Sequence, residues 1–137
     1  MVDARIVEEW IIKADEDFEF ASTNLKEGKI FFAQICFHFQ QAAEKYLKSF
    51  IIAHELEFRK IHELPLLLKI CSSKDSSLEQ IREECEYLSP FYVDTRYPVH
   101  WPTNFSLQEA QKAYQSVSRV RSLIKEKLQL PQEQKSR

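Results

Sequence analysis

The side chains best suited to chemistry fall in three places. Gln41, Glu44, Lys45 and Lys48 recur at spacings of three and four in an otherwise apolar stretch. His62 stands just before the run Leu64, Leu66, Leu67, Leu68, and Asp94-Thr95-Arg96-Tyr97-Pro98-Val99-His100 sets an arginine four residues ahead of a histidine. On a helix the first set brings Gln41, Glu44 and Lys48 together and lets Glu44 pair with Lys48. Its structural reading is an intrahelical ion pair at the edge of a bundle. His62 reads as a helix-start cap or as a site imidazole. Arg96 carries a planar fork suited to phosphate, and the adjoining Tyr97 has a ring able to stack on a base or on Arg96 itself.

Other chemistries lack their residues. His62-Glu63 begins like HExxH, but Leu66 fills the position of the second histidine, and there is no CxxC or His-x3-5-His pair, so no metal and no cofactor is expected. Cys36, Cys71 and Cys85 are an odd number without close spacing, and Cys36 lies in an apolar stripe, which favours packing over nucleophilic work. With Gly28 as the one glycine in 137 residues, phosphate-cradling glycine loops and glycine-turned sandwiches or barrels are excluded. A mostly helical protein remains.

The elements that must position these residues follow from apolar spacing. Ile6, Trp10, Ala14, Phe18, Ala21 and Leu25 predict an amphipathic first helix, closed near Glu27 by Gly28. Residues 30–54 carry two apolar stripes: Phe32, Cys36, Phe39, Ala43, Leu47, Phe50, and beside them Phe31, Ile35, Ala42, Tyr46. Such a helix is central to a bundle or meets a second subunit, and a homodimer is expected on this ground. A third helix is predicted from Ile61 to Ile70 with Pro65 in its first turn, then a polar loop over 72–77 and a fourth helix from Leu78 to Leu88. Pro90, Pro98 and Pro102 forbid a long helix across 89–104. Ser106 and Glu109 form a capping box that opens a last helix to Leu128, with Leu107, Ala110, Tyr114, Val117, Val120, Ile124 and Leu128 facing inward. One domain over 1–130 with a polar tail over 131–137 is the expected organisation.

Charge divides unevenly. The net charge is −2, yet residues 1–27 hold eight acids against three bases while residues 106–137 hold three acids against seven bases. The first and last helices are thus expected to pack side by side, the alternative being a basic C-terminal binding surface. Met1-Val2-Asp3-Ala4-Arg5 has neither the basic start nor the apolar run of a signal peptide, and no run reaches the length of a membrane span. Together with the cysteine pattern this gives the expectation of a reduced, cytoplasmic protein without membrane contact.

Taken in order, Trp10-x3-Ala14-x2-Asp17-Phe18-x2-Ala21, Gln41-Ala42-Ala43-Glu44-Lys45-x-Leu47-Lys48, His62-x-Leu64-x2-Leu67 and Leu88-x3-Tyr92-x2-Thr95-Arg96-Tyr97-Pro98 resemble the HEPN domain family over most of residues 5–128. The resemblance implies an all-α, up-and-down bundle of four to five helices that is commonly dimeric. It also implies association with a minimal nucleotidyltransferase in toxin–antitoxin-like modules, with a nucleotide or RNA as ligand. Lys45, Lys48, His62, Arg96 and Tyr97 are the binding residues it suggests. Many members are metal-independent ribonucleases with an Arg-x4-6-His motif, which makes Arg96 and His100 the catalytic candidates. In that alternative His100 takes the proton of a ribose 2′-hydroxyl and Arg96 stabilises the phosphorane. Here only Tyr97, Pro98 and Val99 separate the two, and prolines flank His100 on both sides, so little or no ribonuclease activity is expected of the protein alone. A third alternative is that the polar groups serve only to hold a dimer together.

Overall fold

A computed structural model describes residues 2–94 and 105–130. Helices α1 (Ala4–Lys26) and α2 (Phe32–Ala53) are followed by α3 (Leu64–Lys74), a 3-10 segment (Ser76–Ile81) running into α4 (Arg82–Leu88), the single turn α5 (Phe91–Asp94) and α6 (Leu107–Lys127). Among the described residues there is no strand, and the architecture is the all-α bundle the sequence predicts.

Local chemistry sets the helix ends. Asp3 caps α1 by accepting the Arg5 N–H at 2.9 Å, and the helix closes at Gly28, whose φ of 80° lets Lys29 N–H reach Asn24 C=O at 3.0 Å. The predicted capping box opens α6: Ser106 Oγ accepts Glu109 N–H at 3.1 Å and Glu109 Oε1 accepts Ser106 N–H at 2.9 Å.

Two further helices end in the same left-handed turn without a glycine, α2 at Glu55 (φ 53°) and α6 at Gln129 (φ 60°). A side chain in this conformation costs roughly 1–2 kcal/mol; glycine avoids that cost but gives back part of the gain through the larger entropy of its unfolded chain. Gln129→Gly is therefore expected to stabilise the protein by about 0.5 kcal/mol. Urea denaturation checks this: a higher midpoint at unchanged slope is expected, and a midpoint at or below that of the parent rejects it.

Helix α2 is the hub. Its buried side chains Ile35, Cys36, Phe39, Ala42, Ala43, Tyr46, Leu47, Phe50 and Ile51 take in both predicted stripes except the exposed Phe31 and the half-buried Phe32 at its start, and α1, α6, α3, α5 and α4 all pack against it. The chain's own helices thus cover most of the apolar circumference of α2. Apolar surface remains at its start, where Phe31 is 42% exposed beside Ile30 at 80%.

Several details differ from the sequence reading. Ile6, Leu107 and Tyr114 are exposed where an inward position was expected; Ala113, Ser116 and Leu123 join the buried side of α6, and Tyr114 lies at the rim stacked on Phe18 at 5.8 Å. The α6 contacts are spread over α2 and α4, so its buried sector is wider than one stripe and rotated from the predicted one. Helix α3 starts at Leu64, leaving His62 in the preceding loop, and continues through Ser72 and Ser73. There the Ser73 hydroxyl donates back to Ile70 C=O at 2.6 Å, and Asp75 ends the helix and caps the 3-10 turn through Ser77 N–H at 3.0 Å.

Candidate functional site on the second helix

The polar face of α2 is built as its spacing demands. Glu44 and Lys48, one turn apart, pair at 2.9 Å although each side chain is only 8% exposed. From the loop before α3, His62 Nδ1 reaches the same carboxylate at 3.0 Å, while Gln40 Nε2 donates to Glu44 Oε1 at 3.4 Å and to the His62 carbonyl at 3.2 Å. Gln41 Nε2 donates to Gln40 Oε1 at 2.7 Å, completing the chain. Tyr92 of α5 stacks on the His62 ring with centroids 3.9 Å apart and planes 15° off parallel. One carboxylate thus organises an ammonium, an amide and an imidazole from two parts of the chain. A carboxylate only accepts, so His62 Nδ1 is the donor and Nε2 is left as the imidazole's second site.

Sequence reasoning missed a matching arrangement on the other edge of the face. His38 Nδ1 lies 3.0 Å from Asp17 Oδ1 of α1, and Lys45 Nζ donates to Asp17 Oδ2. Burial pushes the Asp17 carboxyl up, but the hydrogen bonds from His38 and Lys45 outweigh it, and the net shift is downward. A signal was present: Asp17 belongs to the first family motif, and His38 and Lys45 are seven apart on one helical face.

The predicted binding residues are thereby divided. Lys48 and His62 belong to the Glu44 cluster, whereas Lys45 faces α1 and borders a cleft of about 360 Å³ with Glu9, Trp10, Ile12 and Lys13. Lys48 Nζ also lies 5.6 Å from the Phe58 ring centroid, and Phe58 meets Trp10 edge-on at 5.7 Å. Arg96, Tyr97 and His100 lie outside the described residues. Helix α5, whose Tyr92 touches the Glu44 cluster through His62, ends two residues before Arg96.

Beneath this face lies a buried ionic core. Asp15, 2% exposed, accepts from the Tyr46 hydroxyl, from Arg121 Nε at 3.2 Å and from Lys125 Nζ at 2.9 Å, and Lys125 is itself 2% exposed. Burial raises the Asp15 carboxyl, yet the Tyr46 and Lys125 hydrogen bonds and the two cations bring it below the ordinary value; the Tyr46 phenol is pushed up by burial and by Asp15. The acidic first helix and basic last helix do pack together, through these pairs. Burial drives the thiols of Cys36, Cys71 and Cys85 up to about 12, so none is a nucleophile at neutral pH. Among the described residues no cluster of three or more His, Cys, Asp or Glu is able to hold a metal ion, and no helix is long and apolar enough to cross a membrane.

An α1–α2 hairpin with α3 to α6 packed around α2, and a carboxylate–lysine–histidine cluster on the exposed side of α2, define a helical-bundle class. The HEPN domain family model matches residues 7–128, and the chain belongs to the HEPN family. Among solved structures it is similar to TT1696 from Thermus thermophilus, with 26% identity and a TM-score of 0.78 over 88% of this chain and 97% of that one. It also resembles ST0689, an archaeal HEPN homologue, in fold, at 24% identity and a TM-score of 0.70 over 89% of this chain and 97% of the other. No functionally curated protein matches the chain.

Proposed function

We propose that this HEPN-domain chain is the small, nucleotide- or RNA-binding partner of a minimal nucleotidyltransferase in a toxin–antitoxin-like module, acting in the cytoplasm as a homodimer. The observation that carries the reading is the Glu44 cluster: a part-exposed imidazole, held in one orientation and stacked on Tyr92, stands beside the helix that leads into Thr95-Arg96-Tyr97-Pro98. Lys45 and Lys48 are each engaged by a carboxylate, so in this reading they position the face and Arg96 supplies the phosphate contact.

Arg96→Ala is expected to weaken nucleotide or RNA binding by about 1–3 kcal/mol while leaving the helical signal and melting temperature nearly unchanged. Titration calorimetry with ATP and with RNA checks this; a lowered melting temperature without a binding defect shows Arg96 to be a structural clasp. Light scattering on the same preparation should give about twice the 16.3 kDa chain mass, and a monomer at every concentration rejects the homodimer.

One observation favours a second reading, the metal-independent endoribonuclease. Two imidazoles, His38 of α2 and His62 of the loop before α3, are each oriented by a carboxylate, and acid–base cleavage needs a proton acceptor and a proton donor. The short Arg96–His100 spacing still weighs against it. Incubation with RNA in EDTA should leave the RNA intact; cleavage abolished by both Arg96→Ala and His100→Ala promotes the nuclease reading.

A further inference from the structure

The chain between α2 and α3 is fastened by its side chains. Leu56 N–H closes α2 on Ile51 C=O at 2.9 Å, and beyond it, among the described residues, no backbone N–H of residues 57–63 donates to a backbone carbonyl. Leu56 and Ile61 pack on the core, and Phe58 lies between Trp10 and the Lys48 ammonium. The polar fastening is His62. Its carbonyl accepts from Gln40, its Nδ1 donates to Glu44 and its ring carries the Tyr92 stack, although the side chain is 43% exposed. An imidazole held from one side and open to water on the other can take up or release a proton at Nε2 while Nδ1 stays bonded.

Charge decides what that proton does. The charged or titratable groups set against the ring are Glu44 and Lys48 from α2, Glu63 from its own loop, whose carboxylate accepts His62 N–H at 3.2 Å, and the Tyr92 phenol from α5. Arg59 and Lys60 of the same loop are exposed and, among the described residues, pair with neither carboxylate. Two carboxylates therefore meet one ammonium. An imidazolium brings this cluster to neutrality, turning the hydrogen bond to Glu44 into an ion pair and the Tyr92 stack into a cation–π contact. A neutral ring keeps the donor but leaves an excess negative charge beside Glu44. His38 makes a similar pair with Asp17, but both ends of that pair ride on helices, so its proton has no loosely tied segment to act on.

We infer that His62 is a proton-operated latch. As imidazolium it fastens the loop and the Tyr92 ring to Glu44 of α2, and on giving up its proton to water it slackens residues 57–63. The working range lies between about pH 5 and pH 8, where imidazole is the side chain that changes charge. The latch goes beyond the nucleotide-binding reading and does not depend on it.

Trp10, set against Phe58, reports the loop, and Trp101 is the chain's other tryptophan. In a Trp101→Phe background the emission maximum of Trp10 should move to longer wavelength along a one-proton curve as the pH rises from about 5 to about 8. Hydrogen exchange, expressed as protection relative to the intrinsic rate at each pH, should be on the order of threefold higher in residues 57–63 at about pH 5.5 than at about pH 7.5, and unchanged in α1. Both responses should vanish in His62→Gln, which keeps a donor for Glu44 but has no proton to exchange, and persist in His38→Gln. Protection in residues 57–63 of the parent chain that does not change with pH overturns the latch, whether or not the variants fold. So does a pH response that survives in His62→Gln or disappears in His38→Gln.

Discussion

Asp15→Asn should lower the melting temperature by roughly 10 °C or more. Removing one partner of a buried ion pair costs about 3–5 kcal/mol, and a domain of this size shifts by a few degrees for each. The asparagine keeps the volume but leaves the Lys125 ammonium, 2% exposed, without a counter-charge, and Tyr46 and Arg121 lose a charged acceptor. A triple variant, Asp15→Leu, Tyr46→Phe and Lys125→Met, removes the two most buried charges and the phenol donor together, leaves only the less buried Arg121 guanidinium, and should recover part of the loss. If the single variant melts with the parent, the network contributes no net stability.

Acid provides the second axis of the same test. The Asp15 and Asp17 carboxyls titrate below their ordinary values in the folded protein, so between those values and the unfolded value near ~3.9 the unfolded chain binds more protons. The stability they contribute is therefore full above about pH 5 and is lost as pH falls through the folded values. The parent should lose stability steeply on that limb, and Asp15→Asn should do so less steeply; parallel acid limbs contradict the assignment.

Glu44→Gln is expected to cost about 2–4 kcal/mol, since the carboxylate is the one acceptor shared by Lys48, His62 and Gln40 and two of these are charged or chargeable groups. Its local signature is more telling than its magnitude. His62 ties the loop before α3 to α2, and Tyr92 rests on His62, so hydrogen exchange should rise in residues 56–63 and in α5 while α1 stays protected. A uniform rise across all helices would show that Glu44 acts on global stability alone.

How legible was this in the sequence? Gly28, the Ser106–Glu109 capping box and the apolar circumference of α2 were readable because each is decided within a few residues by backbone geometry or helical period. The Glu44–Lys48 pair was readable for the same reason. Asp15 was not: it looks like one acid among several on a solvated face, and its partners Tyr46, Arg121 and Lys125 lie 31, 106 and 110 residues away. The Leu107 and Tyr114 positions failed because a helix packed on two neighbours buries a sector that no single stripe defines. His38 has no local motif of its own, although its partner Asp17 stands in the first family motif. Arg96 and Tyr97 stay where sequence left them, as residues of the family motif, and His100 as a candidate at a spacing shorter than the motif's.

The five residues between α1 and α2 also bear on the order of assembly. Asp17 and Lys45, 28 apart, join the first two helices, whereas Asp15 and Lys125 close a span about two doublings longer. Each doubling of a loop adds about 0.6 kcal/mol to its closure, roughly tenfold in rate for the two together. The helical hairpin is thus expected to form first, with α6 docking after the transition state. Kinetic traces should show Asp15→Asn accelerating unfolding with little change in the folding limb, so that the ion pair acts as a brake on opening and has little part in starting the fold.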